Sequence, residues 1–392
     1  MRKTNDLGLN KSFKFKNYLN YTVILAVLAV LMILQFTGAA GTDFNYKIMP
    51  IVIPIGVYVI LALSLNMVVG FLGELSLGHA GFMCVGAYLG GKVSALLNDA
   101  GLLGKSSLIN LVISLIVGGI AAAICGFLIG LPALRLKGDY LAIVTLAFGE
   151  IVRAIFMNSS SESFGGSLGL KTPRFDRNYL FIVGFVLVLV CLFVVQNIIR
   201  SKHGRAITAI RDNEIAAKAT GINVTKYKLS VFIVSAFFAG IAGVLYSFAQ
   251  FTIQSTNFSY NYSIEILVMV VLGGMGSING SIIAATVITF LDNFLQKHLT
   301  GDLAVLQDLF YALVLIVIVI YNNAPVFKGF RERYNLKNLF KKFKRHNPAH
   351  QSDDEAKWDR VPTKIEMNEI LSVDLQVSSS TVNPDKAPKE GK

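Results

Sequence analysis

RSKHGRAITAIRDNEIAAKATGINVTKYK, residues 200–228, interrupts an otherwise apolar chain. The runs on either side, 179–199 and 229–248, each come close to the roughly 20 residues a helix needs to cross a bilayer. Between them seven Lys/Arg stand against only Asp212 and Glu214. Cationic loops are retained on the cytoplasmic side during insertion, so this excess assigns the loop to the cytosol. Its middle carries helix signals. Asp212 can cap an N-terminus, Gly221 can supply the left-handed residue after the last turn, and Glu214 precedes Lys218 by four in the favourable order. Such a helix has two turns, and helices below roughly 12 residues are marginal alone in water. With Ile215, Ala219 and Ile222 along one side, it needs something to dock against. The alternative from pattern alone is a plain basic loop.

Composition extends this outward. Of 392 residues 54% are apolar and 15% charged, against about 25% charged in ordinary soluble domains. That balance describes a polytopic membrane protein of the all-α class. The net charge of +12 is gathered in three places: residues 1–18, the central loop, and residues 328–345, where eight Lys/Arg face one acid. Such clustering orients membrane spans; nucleic-acid binding does not require it, and no nucleic acid is expected as partner. Cys84, Cys125 and Cys191 lie in apolar runs without Cys or His neighbours, so they are packing residues and no metal site is expected.

Apolar runs place ten crossings at 18–36, 49–69, 76–97, 108–129, 140–157, 179–199, 229–248, 264–272, 278–296 and 304–321. The eighth is too short alone, and eight crossings is the fallback count. An even count keeps both termini and the basic block 328–345 in the cytosol, whereas nine would expel the C-terminus. The first run is expected to stay as a span rather than be cleaved after the small residues 39–41. Residues 38–46 and 250–262 then face outward and carry no basic residue; 158–178, with Lys171, Arg174 and Arg177, fits this rule less well. The expected organisation is a cytoplasmic segment 1–17, a membrane domain 18–322, and a basic, then polar, cytoplasmic tail 323–392 near lipid headgroups.

Two stretches resemble one another. Residues 73–78 (GELSLG) and 274–280 (GMGSING) both put Gly and Ser between an apolar run and a small-residue helix. Irregular backbone at membrane depth needs protein or a water-filled path to satisfy it, and paired interruptions suggest a duplicated transporter core. Glu74, Ser76, Gly78, His79, Gly274, Gly276 and Ser277 are therefore the expected substrate path. Gly86 and Gly90 form a GxxxG pair suited to close helix packing. Among other polar groups, Glu150 and Arg153 can pair three apart on one helix, Lys92 can snorkel, and Glu265 lies near a span end. GLLGKS at 101–106 lacks the first glycine and the preceding strand of a phosphate loop, and no nucleophile or metal motif is present. The chain is expected to be no enzyme, to hold no cofactor, and to draw any energy for active transport from another chain.

The run 204–223 (GRAITAIRDNEIAAKATGIN) resembles the cytoplasmic coupling loop of branched-chain amino-acid ABC importer permeases. Residues 70–91, 131–140 and 272–281 resemble the same family in the same order, and the likeness covers roughly 49–321. It is strongest for the longer of the family's two permease types. The resemblance implies that Arg205, Arg211, Asp212, Glu214, Ala217 and Gly221 couple to an ATPase. It also implies a second homologous permease, two ATPase subunits and an extracytoplasmic binding protein as partners, with leucine, isoleucine or valine as solute. Related permeases carry urea or amides. The rivals from other classes are an ion-coupled secondary transporter or channel, which needs buried acids arranged for ion handling, and a membrane scaffold, which the Gly-rich breaks disfavour.

Overall fold

The computed structural model describes residues 49–298, except 101–107, 137, 174, 176 and 251, together with scattered helical residues between 21 and 32 and between 312 and 320. The expected spans 18–36 and 304–321 thus lie largely, and the segment 1–17 and the tail 323–392 entirely, outside the described residues.

Ten α-helices carry the described chain: α1 Met49–Asn66, α2 His79–Asp99, α3 Leu108–Ala133, α4 Asp139–Met157, α5 Arg177–Arg200, α6 Lys202–Asp212, α7 Glu214–Ala219, α8 Val224–Ala249, α9 Tyr260–Gly273 and α10 Ile278–His298. Seven of the helical segments are long and apolar enough to cross a membrane. At 14 residues α9 reaches only about 21 Å, short of the ~30 Å hydrocarbon core. It turns directly into α10, and the two helices pack so closely at Gly273 and Gly280 that neither position has room for a Cβ. The short eighth run is therefore a half-length helix paired with its successor.

α8 forms the middle of the bundle, packed between α2 and α3. A Cβ at Gly86 would overlap the Gly240 backbone, and one at Gly118 would lie 2.8 Å from Gly86 O. Three backbones meet there because three helices present glycine at one level, the packing expected of the GxxxG pair. The outer stripe of α3, Leu108, Val112, Ile116, Ile120 and Ile124, repeats every fourth residue and is exposed, as a lipid-facing surface should be.

The ends of the helices sort into two sets. At one end, Arg211 contacts Gly70, Lys228 contacts Glu74, and Gly138 and Asp139 share a groove with residues 212–215. At the other, the two-residue strands β1 Leu170–Lys171 and β2 Thr252–Ile253 pair antiparallel. Thr172 Oγ1 donates to Ser247 O and Gln250 O at 2.8 and 3.1 Å, and Lys92 Nζ donates to Glu162 O at 3.0 Å. The strand pair was not expected from sequence; it joins the two loops opposite the 200–228 loop. Glu150 and Arg153 pair at 2.7 Å, and Glu150 Oε1 also accepts the Tyr260 N–H at 2.9 Å. Glu150 thus belongs to the β1–β2 end of the bundle, opposite the 200–228 loop.

Candidate functional site

The 200–228 loop contains two helices where one was expected. Ser201 caps α6, its Oγ accepting the N–H groups of His203 and Gly204. Gly204, Ile207 and Ile210 turn inward at three-residue spacing, so α6 lies against the bundle. The chain then straightens at Asn213 (φ −157°, ψ 105°), and the Asn213 side chain, not Asp212, caps α7 by accepting the Ala216 N–H at 3.0 Å. Asp212 ends α6 and pairs with Arg211 at 3.0 Å. α7 stops in a Schellman turn: Ile222 N–H reaches Ala217 O, Gly221 N–H reaches Lys218 O, and Gly221 takes φ 85°.

The expected apolar edge of α7 divides. Ala217 is buried and Ile222 half-buried, whereas Ile215 is 80% exposed and Ala219 is exposed. Arg205 and Gly221 are exposed as well. An exposed isoleucine on a six-residue helix leaves an apolar contact open on the outer side of the loop.

Inward, the loop is fixed by charge. Lys228, in the first turns of α8, is 6% exposed and bonds both Glu74 and Glu214, the latter at 3.1 Å. Glu74 is 13% and Glu214 29% exposed. Glu214 also accepts Lys218 Nζ at 2.8 Å, the pair anticipated at four-residue spacing. Lys218, and after it Lys228, hold the Glu214 carboxyl below its ordinary range. Beyond the expected pair with Lys218, Glu214 is one end of a bridge from α7 through Lys228 to the break at Glu74. Burying the Lys228 ammonium is tolerable because two carboxylates, themselves partly exposed, pair with it. Glu74, Gly138, Asp139, Asp212, Glu214 and Ile215 line an open groove of about 570 Å³ beside this bridge.

The break itself begins earlier than expected. After Asn66 the helix widens into a π-helical turn, Met67–Leu72, ended by Gly73 at φ 81°, and α2 starts only at His79. π-turns cluster at functional positions because they unseat the regular backbone pairing. Arg211 Nη1 donates to Gly70 O of this turn at 3.2 Å. The second break, Gly274–Ser277, lies against the first. Asn66 Oδ1 accepts the Gly276 N–H at 2.9 Å, and its Nδ2 donates to Ser277 O at 3.2 Å and Ser281 Oγ at 3.0 Å. Gly274 and Gly276 both have positive φ.

The remaining candidate path residues are buried. Gly78 packs on Thr145, whose O would lie 2.9 Å from a Cβ there, and Ser76 is enclosed, its Oγ without a partner among the described residues. His79 is 2% exposed, its Nε2 between Ser64 Oγ at 3.1 Å and Ser235 Oγ at 3.2 Å. Glu74 and Gly276 thus stand at the loop side of the bundle, while Ser76 and His79 point into its helices. Lys228 is not singled out by the sequence, and Asn66 stands out there only as one of the few polar residues in or beside the spans, without a role. The signal for Lys228 was present: a lysine opening a membrane helix needs an acid, and Glu214 lies near in sequence.

Residues 48–320 match the model of the family described as branched-chain amino acid transport system, permease component. The chain belongs to this family. The match takes in both breaks, the loop and its two helices, and it makes the apolar helices those of a polytopic membrane permease, an all-α protein of a transport rather than an enzyme family. A high-affinity branched-chain amino acid transport permease of Escherichia coli K12, LivM, is 35% identical over 72% of this chain and 70% of its own length. Its counterpart from Salmonella typhimurium is 38% identical over 59% of this chain and 60% of its own. A ribose import permease of Escherichia coli K12 is 26% identical over 56% of this chain and 70% of its own. No solved structure matches.

Proposed function

We propose that the chain is the membrane permease subunit of an ABC importer, passing branched-chain amino acids into the cell under the drive of ATPase subunits. The observation that carries this reading is the double attachment of the loop: Lys228 joins α7 to Glu74 of the first break, and Arg211 joins α6 to Gly70 in its π-turn. A push on the outer side of α7, where Ile215 stands exposed, reaches the break through paired and buried groups. Family membership and the LivM relatives support the solute class. In this reading Arg205, Arg211, Asp212, Glu214, Ala217 and Gly221 serve ATPase coupling. Glu74, Ser76, Gly78, His79, Gly274, Gly276 and Ser277 border the path. A second homologous permease and an extracytoplasmic binding protein complete the assembly, in the plasma membrane with both termini cytosolic.

The test is reconstitution in liposomes with the neighbouring permease, ATPases and binding protein. Labelled leucine, isoleucine or valine should accumulate only with internal ATP, and urea should not. Accumulation driven by a proton or sodium gradient without the ATPases would replace this reading with the ion-coupled one.

A further inference from the structure

We infer that Asn66 is the latch of the permease: its carboxamide clasps the two helix breaks together at the loop side, and solute passes only when that clasp opens. The inference rests on the permease reading and adds the positioning residue that closes the path.

Three observations carry it. Asn66 is 1% exposed, and its carboxamide gives two donated hydrogen bonds and accepts one, all to residues 276–281, which lie over 200 positions away in sequence. A buried amide so fully used holds its partners in one geometry, and half-breaking it leaves unpaired polar atoms. Next, the breaks touch with no space between them. A Cβ on Gly70 would overlap both Asn66 Oδ1 and Gly276 N, so the two breaks are in backbone contact and neither can shift alone while the clasp is closed. Last, the same π-turn residue that faces Gly276 offers its carbonyl to Arg211 of the loop at 3.2 Å. Gly70 is thus held from the loop side by Arg211 and pressed from the bundle side against the clasp. Motion of α6 acts on the Gly70 carbonyl, and through one peptide turn on Asn66.

The π-turn gives this joint a way to move. A π-helical turn carries one more residue per hydrogen-bonded ring than an α-turn, and local conversion between them shifts the register of the side chains beyond it. Met67–Leu72 ends at Gly73, whose φ of 81° suits glycine alone, so the segment is bounded by a residue able to change its backbone angles. Asn66 stands at the other boundary, where a register change would swing its amide off Gly276.

The closed state owes its population to this clasp, so weakening it should raise conformational exchange that solute binding otherwise has to drive. The test uses the full complex in liposomes, with internal ATP and labelled leucine as probe. Asn66→Ala should raise ATP hydrolysis without leucine by roughly tenfold, the change equivalent to about 1.4 kcal/mol, and lower leucine imported per ATP by a similar factor. Ser281→Ala, which removes one of the three bonds and little volume, should move both quantities the same way by a smaller step. Adding it to Asn66→Ala should change the ratio by less than it does alone, because the bond from Asn66 is already gone and only the Ser281 Oγ donation to Ser277 O is left to lose. The ratio of import to hydrolysis is the informative readout, since a merely structural lesion lowers both through loss of assembled complex and leaves the ratio alone. An unchanged ratio in both single variants overturns the latch. If Asn66→Ala fails to assemble, Ser281→Ala alone decides, and a wild-type ratio there overturns the latch as well. Failure of the wild-type complex to import leucine sinks the permease reading instead, and is separable because it needs no variant.

Discussion

Lys228 Nζ and Glu74 form an ion pair across 154 residues of chain, and the same ammonium reaches Glu214 at 3.1 Å. Lys228 loses almost all of its hydration to do so, and the two carboxylates replace it.

Lys228→Met should therefore be costly in a particular way. It leaves Glu74 enclosed without its cation, a loss of about 3–5 kcal/mol where one partner of a buried pair is removed. The variant should melt earlier in detergent and reach the membrane in lower amount. Pairing it with Glu74→Gln removes the stranded charge and should restore most of the thermal stability, while import driven by ATP stays low because α7 no longer reaches the break. A Lys228→Met protein as stable as wild type would show that the bridge is not formed in the folded permease.

The reach of that bridge explains what was legible in the sequence and what was not. Gly221 in the left-handed turn, the Glu214–Lys218 pair and the glycine contacts of α2 follow from neighbours within four residues, and spacing displays them. The cap was misread by one residue because Asp212 and Asn213 are both good caps, and only the extended backbone at Asn213 decides between them. The Lys228–Glu74 and Asn66–Gly276 contacts join positions 154 and 210 residues apart, which no local period records. The first break was placed late for a related reason: nothing in MVVGFL distinguishes a π-turn from the last turn of an α-helix.

Acid should release α7 only at low pH. The folded Glu214 carboxyl titrates below its ordinary range, chiefly through Lys218 and then Lys228, so its stabilising effect is complete above the unfolded value and disappears as pH falls through the lower folded one. The groups facing it are Glu74, Lys218 and Lys228, and neither lysine changes charge in acid. In a background lacking Cys84, Cys125 and Cys191, a fluorophore on Ala216→Cys should report constant surroundings from pH 8 to about 5 and change only below about pH 4. A transition between pH 7 and 6 would show that a group other than Glu214 controls the docking of α7.

The two sets of helix ends give a labelling pattern. In intact cells whose outer barrier is permeable to the reagent, an impermeant thiol label should reach a cysteine at Ser161, in the loop that Lys92 and the β1–β2 pair hold at one end. It should not reach one at Ala209, on the exposed side of α6, until the membrane is opened. Ser12 and Ser352, outside the described residues, should behave like Ala209 if ten spans place both termini in the cytosol. Labelling of Ser12 or Ser352 from outside would remove the ten-span count, and labelling of Ala209 would invert the orientation.

Gly221 offers the cleanest separation of coupling from folding. Its φ of 85° is required by the Schellman turn, yet a Cβ there would meet no atom within 4 Å. Gly221→Val therefore adds backbone strain without a clash, about 1–2 kcal/mol for a left-handed non-glycine residue. The exit of α7 is the only feature that has to yield. Insertion and the packing of α2, α3 and α8 should be untouched, so the variant should accumulate in the membrane at the wild-type amount. If the strain is relieved by undocking α7, ATPase subunits should bind roughly 5- to 30-fold more weakly, the factor equivalent to that free energy. Gly221→Asn enters the left-handed region more readily and should recover most of the binding. Co-purification of the ATPases across the three proteins, with leucine-stimulated hydrolysis in liposomes, measures this. Wild-type binding and hydrolysis by Gly221→Val would make 200–228 an orienting loop alone and leave the ATPase contact to be sought along residues 134–139, which border the same groove at Gly138 and Asp139.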